Sequence, residues 1–148
     1  MGNWRKVDEN DLAATLSQQE IDSYRRSAPL DGTDPVARLV ASTADYVRGC
    51  IAAGGSVRMG PAGTIPNGLV IPAMDYAMGK VLVRINVPLN EDRREALRKA
   101  QELFEKIAKG EIEAEPWTDD GTVDEDARPA TSPMADDGPP PVLGGPIW

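Results

Sequence analysis

Histidine is missing from the 148 residues, and cysteine occurs once, at Cys50. Within this chain those counts exclude a Ser-His-Asp triad, a Cys-His pair, a histidine-ligated zinc site and an intramolecular disulfide. Aromatics are sparse as well: three Trp, three Tyr and one Phe. A core must therefore rest mainly on Leu, Ile, Val, Met and Ala. No apolar run approaches the roughly 20 residues that a membrane-spanning helix requires. The opening Met1-Gly2-Asn3-Trp4-Arg5-Lys6 has no apolar stretch behind it, so no secretory signal is expected. Lys6 also stands where a myristoylation signal wants Ser or Thr. The expectation is a soluble, acidic, intracellular protein of ordinary domain size, with no cofactor and no metal.

The net charge of −8 is unevenly spread. Residues 1–114 carry 15 Lys/Arg against 16 Asp/Glu, whereas residues 115–148 carry eight acids and a single base, Arg128. The same final stretch holds seven of the 13 prolines and has neither helical nor alternating hydrophobicity. Proline removes backbone donors and the carboxylates repel one another, so this stretch cannot bury enough apolar surface to fold alone. The expected organisation is a helical domain over 1–114, followed by an acidic, Pro-rich arm over 115–148.

Helix signals recur through the first part. Asp8 caps a short helix with acids in its first turn. Ser17-Gln18-Gln19-Glu20 forms a capping box that opens a second helix running to about Ser27. Asp34 and Pro35 open a third, with Gly54 as its stop, and place Val36, Leu39, Val40, Thr43, Val47, Cys50 and Ile51 on one face. Residues 54–68, with five glycines and two prolines, form a loop or a loose hairpin. Met74, Met78, Val81, Leu82 and Ile85 then make a helical stripe; Lys80 to Val87 also alternates as a strand would, and helix is favoured. Asn90 caps the last helix, whose stripe is Leu97, Ala100, Phe104 and Ile107, with Gly110 at its end. The fold class expected is all-α: a small bundle of about five helices with a Gly-rich loop or short hairpin and an extended C-terminal arm.

Little in this body suggests chemistry. Asp11, Glu20, Asp22, Asp45 and Asp75 are the acids available for general acid–base work, but their spacing brings no two of them together. Cys50 sits on the apolar stripe of the third helix, where a small buried thiol is ordinary packing. The Gly-rich loop lacks the spacing of a phosphate-binding loop, and Arg58 is the one cation inside it. It reads as a flexible connection or as a loop ordered by a neighbouring subunit. Arg93, Arg94, Arg98 and Lys99 are interleaved with Glu91, Asp92, Glu95 and Glu102, which describes a solvated helix face and not a nucleic-acid surface. The chain is not expected to be an enzyme.

The arm is more informative. It begins near Trp117 and runs to Pro139, Pro140, Pro141, Val142, Leu143, Gly144, Gly145, Pro146, Ile147 and Trp148. Polyproline segments are already extended and lose little entropy on docking, and Ile-Trp offers a compact apolar anchor. Fully extended, 34 residues reach on the order of 110 Å. Trp117, Pro139–Pro141, Val142, Leu143, Pro146, Ile147 and Trp148 are accordingly the candidate partner-binding residues.

The order of features resembles the small helical head-to-tail connector proteins of tailed bacteriophages, also called adaptor or head-completion proteins. The resemblance rests on NDLAATLSQQEID, on DPVARLVASTADYVRGCI, on a Gly-rich turn containing Thr64-Ile65-Pro66, and on NEDRREALRKAQELFEKIAKGEI. In that last segment Arg93 or Arg94, Ala100, Leu103, Ile107, Ala108 and Gly110 match the family's closing pattern. The similarity spans roughly Val7 to Ile112. It implies a structural virion protein, assembled in the host cytoplasm, that forms a ring, commonly of twelve copies, beneath the portal. Such a ring joins the DNA-filled head to the tail or neck proteins, and a C-terminal extension wraps the portal protein. By position, Arg58, Met59 and Ile65 of the Gly-rich loop would face the channel or the next ring, and DNA would pass through the lumen without specific binding. The alternative is a non-catalytic interaction module whose acidic, Trp-tipped tail recruits replication or repair partners.

Overall fold

Each helix begins where a side chain can accept a hydrogen bond from a backbone N–H that the helix itself leaves unpaired. In the computed structural model, which describes residues 2–28, 32–55 and 57–118, α1 spans Glu9–Leu12 and α2 Gln18–Ser27. Both open on reciprocal capping boxes, Asp8 with Asp11 and Ser17 with Glu20. Helix α3, Pro35–Gly54, starts at Asp34, which accepts from Val36 N–H, with proline in its first turn. Helix α4 covers Val70–Arg84 after a single 3-10 turn at Asn67–Leu69, and α5 covers Glu91–Ala108 behind Asn90. The expected all-α class and the five helices are as observed.

Lys80 to Val87 is not a strand. Val81 and Leu82 are both buried, which alternation forbids, and helix α4 continues to Arg84. It stops because Asn86 adopts the left-handed conformation (φ 60°), so that its N–H reaches the Val83 carbonyl and Val87 N–H reaches Leu82. That is the Schellman arrangement, and asparagine is among the few non-glycine residues that enter it readily.

The core is one cluster. Helix α4 packs against α1, α2, α3 and α5, and α3 packs against α5. All seven residues expected on the α3 face are buried, and Thr43 satisfies its hydroxyl on the Leu39 carbonyl at 2.8 Å. The apolar centre combines Leu12, Ile21, Val47, Met74, Met78, Leu82 and Phe104, each almost fully shielded. Burial of such side chains contributes roughly 1.5–3 kcal/mol apiece.

One feature of the backbone has no counterpart in the expectations. Trp4–Lys6 forms strand β1 and Thr64–Pro66 forms β2, paired antiparallel with Trp4 opposite Pro66 and Lys6 opposite Thr64. The Gly-rich stretch therefore does not fold back on itself as a hairpin; it pairs with the start of the chain. By its internal packing the body runs from Trp4 to Trp117, three residues beyond the expected boundary at 114. Asn3 and Thr118 belong to a second unit, in which Asn3 Oδ1 accepts from the Thr118 N–H at 2.8 Å.

Arginines tie the helices together at their ends. Arg25 on α2 reaches Glu9 at 2.7 Å, Asp34 at 3.0 Å and Asp22 at 3.7 Å, linking the starts of α1 and α3. Arg93 on α5 makes a two-pronged pair with Glu20, 2.9 Å on each branch, and also donates to the Thr15 carbonyl at 3.2 Å. This guanidinium holds the Glu20 carboxyl at about 2, against an ordinary value of 4.5. A carboxylate depressed by folding stabilises the native state above its unfolded pKa, and that contribution is lost as pH falls through the folded one. Glu20→Gln should therefore unfold more readily than the parent chain at pH 7. The gap in urea midpoint should close progressively from about pH 4.5 down to about pH 2. A gap that stays constant over that range would show that the pair adds nothing to stability.

Candidate functional site

Strand β1 places Trp4 inside the body, with only 3% of its surface exposed. A buried indole N–H requires an acceptor, and Trp4 Nε1 donates to the Glu115 carbonyl at 2.9 Å. The last residues of the body are thus fastened to its first strand. Two residues further on, Trp117 N–H donates to the Arg58 carbonyl at 2.9 Å. The Arg58 guanidinium lies 4.7 Å from the centroid of the Trp117 ring, an attractive cation–π geometry.

The loop that receives Trp117 is organised from helix α3. Arg48 Nη1 donates to the carbonyls of Pro61 at 2.9 Å and Thr64 at 2.8 Å, and Nη2 donates to Gly60 at 3.2 Å. The same guanidinium stands 5.8 Å from the Trp4 ring centroid. Thr64 adds a bond from its hydroxyl to the Pro61 carbonyl at 2.6 Å. Glycine is required at position 60 because a Cβ there would lie 2.8 Å from Trp117 Cδ1 and 2.9 Å from Thr64 Oγ1. The loop, expected either as a flexible connection or as one ordered by a neighbouring subunit, is thus bonded from within the chain by Arg48.

The expected site residues separate into three groups. Trp117 and Arg58 meet, but as a joint between loop and chain end and not as two independent contacts. Met59 is partly buried against the core. Ile65 is fully buried in β2, at 0% exposure, and so cannot face a channel or a next ring. Its place in a Gly/Pro-rich stretch suggested an exposed loop, whereas strand pairing with β1 turns it inward. Pro139, Pro140, Pro141, Val142, Leu143, Pro146, Ile147 and Trp148 lie outside the described residues. Trp4, Arg48 and Gly60 were not singled out from sequence. Trp4 and Trp117 are the described tryptophans, and their shared scarcity is the one signal that pointed to this corner.

The carboxylates are dispersed as their spacing suggested. Asp11 is held low by Arg5, Glu20 by Arg93, and Asp22 pairs with Arg25. Asp75 is pushed up by burial beside α5, and Asp45 lines a shallow groove next to Lys6 and Ala41. No cluster of three or more metal-ligating side chains occurs among the described residues. Burial pushes the Cys50 thiol up, so it is held in its unreactive form. The Trp4–Arg48–Trp117 corner fixes residues 115–117 against strand β1 and the loop of residues 58–64.

Arg48→Met should release three loop carbonyls at once and expose the anchorage of Trp117. Hydrogen bonds to a charged donor are worth about 1.5–3 kcal/mol, so a loss of roughly 2 kcal/mol is expected. Arg48→Lys should recover only part of it, since an ammonium cannot fork across three carbonyls. Thermal melting reads the first effect, and faster amide exchange at Thr64 and Trp117 reads the second. Unchanged exchange in Arg48→Met would mean that the loop is held by other contacts.

Searches against protein-family models, curated proteins and solved structures return no match for this chain. Among the described residues no helix is long and apolar enough to cross a membrane.

Proposed function

We propose that this protein is a structural connector subunit that forms a ring beneath a phage portal and joins the filled head to the tail or neck proteins. Its acidic, Pro-rich arm docks on the portal. The observation that carries the reading is the built corner at the exit of the body. Trp4 holds Glu115, and Arg58 holds Trp117, immediately before 31 residues rich in proline and acid. A chain that served only as a solubilising tail would need no such fixed point of departure. The helical order and the closing pattern from Arg93 to Gly110 add the family resemblance. Twelve modest arms on one ring would gain strength by avidity.

The test mixes the full chain with the portal ring from its own genome and reads the mass of the assembly by native mass spectrometry. Addition of about one ring of copies is expected, with binding lost when Ile147→Asp and Trp148→Ala are combined in the full chain. A portal ring that stays bare overturns the connector reading and favours the recruitment module. Binding that survives the double substitution moves the affinity away from the end of the arm.

A further inference from the structure

Helix α5 separates two cavities of opposite charge. On one side lies a groove of about 440 Å³ walled by Tyr24, Leu39, Tyr76 and Leu97, with Lys80 and Arg84 at its mouth. Val83 also lines it and is 69% exposed. Both cations are held in place: the Lys80 ammonium is 5.2 Å from the Tyr76 ring centroid, and Arg84 donates to the Ser27 carbonyl at 3.1 Å. On the other side a cavity of about 330 Å³ is lined by Asp75, Asp92 and Glu95, with Lys99 and the apolar Ala96 and Leu103. Glu95 is already paired with Arg98 at 2.6 Å and Lys99 at 3.8 Å, so the acidic character of this side rests on Asp75 and Asp92. At about 3.6 residues per turn, Leu97 and Gln101 fall on one side of α5, and Asp92, Ala96, Lys99 and Leu103 fall on the other.

This arrangement is self-complementary in one sense only. A two-fold contact through the Lys80–Arg84 face would set like charge against like, which is unfavourable. A head-to-tail contact sets Lys80 and Arg84 of one copy against Asp75, Asp92 and Glu95 of the next, and covers Val83. We propose that the α4–α5 groove of one copy receives the acidic flank of α5 of a second copy, so that each copy both gives and accepts one contact. Such heterologous interfaces close into rings when the rotation permits. The proposal deepens the ring reading by naming its two faces, and rests on that reading for closure alone.

The experiment uses the full chain and two surface variants, Lys80→Glu with Arg84→Glu, and Asp92→Lys with Glu95→Lys. Native mass spectrometry and sedimentation should show the parent chain assembling and weakening with salt. Each variant alone should self-associate at least tenfold more weakly. An equimolar mixture should regain assembly, because the two intact faces still pair and the two reversed faces are again opposite in charge. If a charge reversal lowers the melting temperature, Lys80→Met with Arg84→Met and Asp92→Asn with Glu95→Gln replace it; each should self-associate more weakly, and their mixture should pair through the two intact faces and stop at two copies.

Variants that assemble like the parent overturn the proposal, as does a symmetric dimer broken by one pair alone. A parent chain that stays monomeric also overturns it. If that monomer still adds to a portal ring, the connector reading survives while these faces fall. Head-to-tail pairing beside a bare portal does the reverse.

Discussion

Gly54→Ala is expected to cost roughly 3 kcal/mol or more, and to lower the melting temperature by about 12 °C at about 4 °C per kcal/mol. Gly54 is the last residue of α3, and a Cβ placed on it would collide with the Ile107 carbonyl of α5. The obstacle is backbone, so no rotamer change relieves it. The approach is mutual, since a Cβ on Gly110, which is left-handed at φ 79°, would lie 2.9 Å from the Gly54 carbonyl oxygen. Gly49 provides the control within the same helix, because a Cβ there meets nothing within 4 Å. Gly49→Ala should be neutral or should stabilise by up to about 1 kcal/mol, as alanine loses less backbone freedom on folding. Two identical chemical changes five residues apart should thus have opposite signs. Equal melting temperatures for the two would mean that the ends of α3 and α5 part without cost.

Gly54 also marks what could be read from the chain and what could not. Its position after an apolar stripe identified it as a helix stop, and it does end α3. Its second role, letting α5 approach, depends on Ile107, more than fifty residues away, and no local pattern encodes that distance. The helices were legible because their signals are local: Ser17 with Glu20, Asp34 with Pro35, and Asn90 ahead of Glu91 and Asp92 all cap as expected. The β1–β2 pair was not legible, since its bonds are backbone to backbone and three-residue strands leave no periodicity. Ile65 was misplaced for that reason. Nothing local to Arg48 marks it in the sequence, and only the fold of residues 57–64 brings three carbonyls within its reach. Charge spacing on α5 was partly readable. Glu95 and Lys99 do meet at 3.8 Å, but Arg98 takes Glu95 and Glu102 at 2.6 Å each. The arm was legible as a composition, and its root at Trp117 was named, yet the partner that fixes Trp4 is a backbone carbonyl and carries no sequence mark.

Phe104→Ala should be the other severe change, at about 3–5 kcal/mol. Phe104 is the one phenylalanine of the chain and has no exposed surface. Its ring meets Tyr46 edge-on at 5.8 Å and Tyr76 edge-on at 6.4 Å, while those two rings stack on each other at 4.5 Å. The three rings come from α3, α4 and α5, so one truncation loosens all three long helices together. Phe104→Leu keeps most of the volume and should lose far less, about 1–1.5 kcal/mol. Coupling can be measured by a double-mutant cycle with Tyr76→Leu, in which edge-to-face pairs give about 0.5–1.5 kcal/mol beyond burial. Tyr46 offers an independent readout. Burial pushes its hydroxyl up to about 12 from 10, so it favours the folded state below pH 10 and ceases to do so as pH rises through 12. Loosening the cluster in Phe104→Ala should bring that value back toward 10, visible as earlier tyrosinate absorbance in an alkaline titration. If Tyr46 still titrates near 12 in a folded Phe104→Ala, the shielding of its hydroxyl comes from α3 itself, beside Cys50, and the three rings do not act as a unit.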